Sequence, residues 1–226
     1  MNVAEEVGGT TSSAGRPGRL GPRVSYARSV GEIEAAGFLF DMDGTLVDST
    51  AVVESVWTEF CLDHGLDPAV LLAYAHGRQA ADTIVHVLPE LTDAERLELA
   101  RGLVAQELTR TAGIVEIPGA GRMLARLLAD GAPVAVVTSA PRELAVVRMR
   151  AAGIPVPDVL VAAEDVASGK PDPQGYRLAA SRIGVPIADC VVFEDAEAGL
   201  LAAVASGARV VVVGAHESPP PPTFCG

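Results

Sequence analysis

A chain of 226 residues has room for one α/β domain of ordinary size, or for a core domain carrying a small inserted one. Its 17 basic and 29 acidic residues leave a formal net charge of −12, which opposes binding to a nucleic-acid backbone or an anionic membrane surface and obliges a small anionic substrate to find a local positive or metal-bearing spot. Hydrophobic residues make up 49% of the chain but aromatics only 4%, so the interior must be built from Ala, Val and Leu, as in parallel sheets covered by helices.

Residues 1–34 are rich in Gly, Ser, Thr, Pro and Arg, show no period and read as a flexible leader. They lack the basic-then-apolar order of a secretory signal, and no apolar run reaches the length of a membrane span, so a cytoplasmic protein is expected. The three scattered cysteines, Cys61, Cys190 and Cys225, match neither a disulfide framework nor a zinc site and fit that reducing setting. Phe38-Leu39-Phe40 is wholly apolar and ends in acid and Gly, which suits a buried parallel strand running into a functional loop.

From there to Pro133 the chain is far longer than one crossover helix needs, and its patterning is helical. Helices are predicted over 52–64, 68–74, 78–87 and 93–110, the last opened by Thr92 with Glu95 three residues on. Residues 53–116 therefore read as a helical cap inserted into an α/β core formed by 35–52 and 117–215. Strands over 134–137, 159–161, 191–193 and 210–213 then alternate with helices over 119–130, 142–152 and 174–183, two of them preceded by Pro141 and Pro173. The expected fold is α/β, a Rossmann-like parallel sheet core with an inserted small helical cap. Residues 216–226, with four consecutive prolines, read as a loose tail, with an extended ligand for an aromatic groove as the alternative.

The chemistry-bearing residues fall where these strands end. In Asp41-Met42-Asp43-Gly44-Thr45, two carboxylates separated by one residue and turned by Gly44 can both face the open end of a parallel sheet, although Asp and Gly after a strand also make plain turns. Thr138-Ser139 follows the second strand and offers a cradle for a phosphate oxygen, or an ordinary helix cap. Lys170 stands between Gly169 and Pro171, held more stiffly than a solvated loop lysine needs to be. Glu194 and Asp195 end a fourth apolar run, where acids are costly to bury unpaired and point to a metal. Together these residues compose one site, with Asp41, Asp43, Glu194 and Asp195 as hard oxygen ligands or neighbours, Thr138, Ser139 and Lys170 as donors, and Mg²⁺ as the cation that fits best.

These four segments, in this order and context, resemble the motifs of the haloacid dehalogenase superfamily over about residues 36–214. That resemblance implies that Asp41 attacks phosphorus, that Asp43 serves as general acid and then base, that Asp195 holds Mg²⁺ and that Thr138 and Lys170 contact the phosphoryl group. The intact Asp41 and Asp43 pair separates the chain from the superfamily's dehalogenases, and the lack of spans separates it from its membrane ATPases.

The insertion just after the first motif resembles the cap of the sugar-phosphatase, glycerol-phosphate phosphatase and β-phosphoglucomutase branch. His76-Gly77-Arg78 with Asp82-Thr83, Ile117-Pro118-Gly119 and Ala163-Glu164-Asp165-Val166 extend that likeness. Arg78 is the candidate for reading the substrate, since its fork can grip phosphate or hydroxyls, against the alternative of a surface arginine at a helix start. The resemblance implies a phosphatase acting on a small sugar phosphate or polyol phosphate such as glycerol phosphate. A phosphomutase or a non-catalytic binder of phosphorylated metabolites is the alternative, and either a monomer or a homodimer is compatible.

Overall fold

The computed structural model describes residues 3–7 and 33–214. Apart from residues 3–7, 33 and 34, the leader read over 1–34 lies outside the described residues, as does the tail over 216–226.

In chain order, β1 (Val3–Val7) and β2 (Gly37–Phe40) are followed by the two-residue β3 (Val47–Asp48). Four helices come next: α1 (Thr50–His64), α2 (Pro68–Ala75), α3 (Ala80–Val87) and α4 (Asp93–Thr109). The two-residue β4 (Val115–Glu116) returns the chain to the core. Then α5 (Ala120–Ala129), β5 (Val134–Val137), α6 (Arg142–Ala151), β6 (Val159–Val161), α7 (Gln174–Arg182), β7 (Cys190–Glu194), α8 (Glu197–Ser206) and β8 (Arg209–Val213) alternate. Local chemistry fixes the ends. Asp67 accepts from the Ala69 N–H ahead of Pro68, Thr92 and Glu95 form a reciprocal capping box for α4, and α1 stops where Gly65 turns left-handed.

The large sheet runs β1-β8-β7-β2-β5-β6. β2 pairs in parallel with β5 on one side and β7 on the other, and β5–β6 and β7–β8 are parallel as well. The chain thus builds one flank of the sheet and then crosses to the other, so the switch point lies at the end of β2, immediately before Asp41. β1 lies antiparallel on the outer edge of β8, a strand within the stretch that composition assigns to a leader.

Strands buried on both faces serve two cores. Phe40, Val136 and Phe193 join Leu124, Leu144 and Met149 under α5 and α6, while Leu39, Ala135 and Val192 join Tyr176, Ala179, Ala202 and Ala203 under α7 and α8. The Phe40 and Phe193 rings stack at 4.7 Å on the first face. Cys190 belongs to the second; burial first, then the Asp189 charge, pushes its thiol up to about 11, which makes it inert.

The cap helices have a core of their own around Val56, Trp57, Phe60, Leu71, Ile84 and Leu103. They occupy residues 50–109, and the two connections to the sheet domain pair with each other, Val47 opposite Glu116 and Asp48 opposite Val115. Among the described residues no helix is long and apolar enough to cross a membrane.

Candidate active site

Asp41 continues β2 by donating its N–H to the Phe193 carbonyl at 2.9 Å, which fixes its side chain at the mouth of the sheet. The chain then turns tightly: the N–H groups of Leu46 and Val47 both reach the Met42 carbonyl, at 2.8 and 2.9 Å, with the Met42 side chain fully buried. Gly44 sits at φ +87°, and a Cβ there would lie 2.0 Å from Asp195 Oδ2, so glycine alone lets this turn meet the β7 acid. Thr45 Oγ1 donates to Asp195 Oδ1 at 3.0 Å and ties the two motifs together.

Asp41, Glu194 and Asp195 bring carboxylate oxygens within 4.8 Å of one another. Lys170 Nζ donates to Asp41 Oδ1 and, at 2.5 Å, to Glu194 Oε1. Tyr176 donates to the same Glu194 oxygen at 3.0 Å, and the N–H groups of Asp195 and Ala196 supply Oε2 at 2.8 and 2.9 Å. Glu194 lies directly over α8, where a Cβ on Gly199 would stand 1.6 Å from Oε1. Burial alone would lower the Lys170 ammonium, but the charges of Asp41 and Glu194 outweigh it and hold the group well above its usual range. Asp41 is pushed well up, by burial first and then by Glu194, with Lys170 pulling the other way.

Three carboxylates against one ammonium leave an excess of negative charge, and Asp41 Oδ2 is buried without a hydrogen-bond partner among the described residues. Both observations fit a divalent cation held by oxygen. Asp195 is pushed up to about 7, chiefly by burial and then by Glu194. A raised carboxyl stabilises the fold below its unfolded value of about 4 and loses that contribution as pH rises through about 7. The metal-free protein should therefore melt at lower temperature at pH 8 than at pH 6. Mg²⁺ should stabilise it more at pH 8, where no proton competes. Thermal melts with Mg²⁺ or chelator test this; equal Mg²⁺ shifts at both pH values, or the same pH response in Asp195→Asn, would contradict it.

Asp41, Asp43, Asp195, Thr138, Ser139 and Arg78 all line one cavity of about 140 Å³ between cap and core, closed on the cap side by Trp57, Leu72 and Leu103. Lys170 and Glu194 stand behind Asp41, outside that wall. Two of the expected site residues have other partners in this structure. Asp43 is not part of the acidic cluster; its oxygens go to Ser49 Oγ at 2.6 Å and Arg148 Nη1 at 2.9 Å. The Ser139 hydroxyl donates to the Gly77 carbonyl of the cap at 2.8 Å. Thr138 Oγ1 accepts from the Ala140 N–H at 3.0 Å, which leaves its own O–H to donate. The Arg78 guanidinium lies 4.4 Å over the Tyr74 ring, itself stacked on His86.

Over residues 35–207 the chain matches the haloacid dehalogenase-like hydrolase family. The chain belongs to this family. Hexitol phosphatase A of Escherichia coli (strain K12) is 42% identical over 81% of this chain and 85% of its own length. The 2-deoxyglucose-6-phosphate phosphatase 1 of Saccharomyces cerevisiae (strain ATCC 204508 / S288c) is 32% identical, with 80% of each chain covered. Among solved structures, CbbY from Rhodobacter sphaeroides in complex with phosphate superposes with a TM-score of 0.68 at 26% identity, covering 78% of this chain and 85% of that one.

In this haloacid dehalogenase-like hydrolase, three site residues escaped the sequence reading: Ser49, Arg148 and Glu107. Arg148 Nη2 reaches Glu107 Oε2 at 3.2 Å while Nη1 holds Asp43. Burial pushes the Glu107 carboxyl up; Arg148 pulls it back and the Asp43 charge adds to the rise. A signal existed for both. Arg148 shares the buried face of α6 with Leu144, Ala145 and Met149, and Glu107 follows Leu103 on the buried face of α4, so each is a charge on an apolar stripe.

Proposed function

We propose that this phosphoric monoester hydrolase releases inorganic phosphate from a small sugar or polyol monophosphate by two displacements at Asp41, with Mg²⁺ as cofactor. The observation that carries the reading is the Asp41 carboxylate itself, at the cavity wall, held through Oδ1 by Lys170, without a hydrogen-bond partner at Oδ2 among the described residues, and sharing that cavity with Asp43. Asp41 and Asp195 would hold the cation, with Glu194 beside them. When bound it would offset the charge of the phosphoryl oxygens and so let an anionic nucleophile approach.

Asp41 attacks phosphorus and forms an aspartyl-phosphate, splitting one hard hydrolysis into two displacements. Asp43, set by Ser49 and Arg148, gives a proton to the departing alkoxide and takes one from the attacking water. Thr138 donates its hydroxyl hydrogen to a phosphoryl oxygen. Lys170, kept protonated by its neighbours, orients Asp41 from behind. The cap wall excludes water and faces the leaving group with Arg78. The relatives' names support an uncharged polyhydroxy leaving group. Two buried, unbridged cysteines, Cys61 and Cys190, support a cytoplasmic setting within this reading.

The test is phosphate release from a panel of hexitol, sugar and glycerol monophosphates, with Mg²⁺ or with chelator. Stoichiometric, metal-dependent release supports the proposal; isomerised ester without free phosphate would replace it with a mutase. Arg78→Ala is expected to raise KM for the preferred polyol phosphate by about tenfold while changing KM for a small aryl phosphate less than about threefold, since its contact is to the leaving group. Equal changes on both esters would remove Arg78 from substrate reading.

A further inference from the structure

Resting on the acid and base role of Asp43 proposed above, we infer that Arg148 and Glu107 form a clasp that orients Asp43 only while the cap is seated. Both line the cavity, and the role assigned to them is to position Asp43.

The geometry is specific. Arg148 rises from α6 in the core with only 4% of its surface exposed. One arm of its fork donates a hydrogen bond to Asp43 Oδ2 at 2.9 Å, and the other forms an ion pair with Glu107 Oε2 at 3.2 Å. Asp43 belongs to the core, but Glu107 rides on α4 of the cap. The second Asp43 oxygen takes the Ser49 hydroxyl at 2.6 Å, from the residue just before α1, where the chain enters the cap. Both oxygens of the acid are therefore held by groups that depend on the cap: Ser49 lies at its entrance, and Arg148 is anchored to its last helix.

The fork matters because a guanidinium presents two donors in one plane to two carboxylates, which an ammonium cannot do at fixed geometry. With the cap lifted, α4 carries Glu107 away and Arg148 loses the anchor that fixes its plane. Its Nε has no hydrogen-bond partner among the described residues, so the orientation rests on the two carboxylates. Two other contacts latch the same closed position, Ser139 on the Gly77 carbonyl and Gln79 Nε2 on the Ala163 carbonyl at 3.4 Å. Cap seating, which a ligand that fits the cavity favours, is thus converted into alignment of the proton donor.

The consequence is a dependence on the leaving group. An alkyl alcohol needs the Asp43 proton to depart, whereas p-nitrophenolate leaves with little help, so in the step that breaks the ester bond misaligning the donor harms the first far more than the second. Glu107→Gln, which keeps the side-chain shape, and Arg148→Lys, which keeps the charge but not the fork, are measured on hexitol phosphate and on p-nitrophenyl phosphate with Mg²⁺. For both variants the ratio of kcat/KM on the hexitol ester to kcat/KM on the aryl ester should fall by about tenfold or more, because kcat/KM reports the step in which the alcohol departs and not the later hydrolysis that both esters share. Circular dichroism and melting temperature establish that each variant is folded; should Arg148→Lys fail that check, Glu107→Gln decides alone. An equal loss of kcat/KM on both esters, an unchanged ratio, or a fall carried by a rise in KM for the hexitol ester with kcat unchanged would overturn the inference while leaving the phosphatase reading intact. A wild type that releases phosphate from neither ester would overturn that reading and this one with it.

Discussion

Asp41→Asn should reduce phosphate release by a factor on the order of 10⁴ to 10⁶, because the amide keeps the shape of the carboxylate but cannot attack phosphorus. The same substitution should leave the metal-free protein as stable as the wild type at pH 8, or more stable. Burial and the Glu194 charge hold Asp41 well above the ordinary carboxylate range, so its contribution to stability is lost as pH rises and the ionised form is a burden on the fold. The Lys170 ammonium retains Glu194 as a partner. Single-turnover phosphate release and a urea titration at pH 8 in chelator measure the two effects. Residual turnover within tenfold of wild type would remove Asp41 as nucleophile, and a large drop in stability would mean that the Lys170 contact outweighs the repulsion.

Lys170→Met should act in the opposite sense on stability. It leaves Asp41 and Glu194 side by side, both buried, without their shared cation, and breaking such a pair typically costs about 3–5 kcal/mol. The loss should be largest at pH 8 in chelator. Lower pH should relieve it, since protonating either carboxyl removes the repulsion, and so should Mg²⁺, which restores positive charge nearby. Turnover should fall by about 10²–10³ even with saturating metal, the usual size of a lost electrostatic positioning group. Denaturation at pH 6 and pH 8, with and without Mg²⁺, tests the claim. A destabilisation independent of both would mean that Lys170 acts through packing.

The main strands were legible because parallel strands buried on both faces read as unbroken Val, Leu and Phe runs, and each run here is bounded by Gly, Pro or acid. The site was legible for a related reason: charged and hydroxyl residues at the ends of such runs converge once the strands are parallel. The β3–β4 pairing was not, because two-residue strands carry no period and Val115 and Glu116 are both exposed. Nor was α8, whose run of Ala, Gly, Leu and Val lacks a polar face and reads as neither helix nor strand. Arg148 and Glu107 were visible singly as charges out of place; their meeting depends on how α4 of the cap lies against α6 of the core, and no spacing in the chain encodes it. The turning of Ser139 toward the cap is likewise a product of docking.

The paired ribbon of Val47–Asp48 and Val115–Glu116 has a consequence for exchange of parts. It holds the two points where the insertion leaves and rejoins the core at neighbouring-strand spacing, roughly 5 Å, whatever is folded between them. Any helical module whose ends lie that close can be spliced in without moving Asp41 or the sheet behind it. A transplanted cap would then change which ester is admitted while the carboxylate cluster behind it stays in place, and only a graft bringing its own counterpart of Glu107 would keep the Arg148 contact to Asp43 anchored.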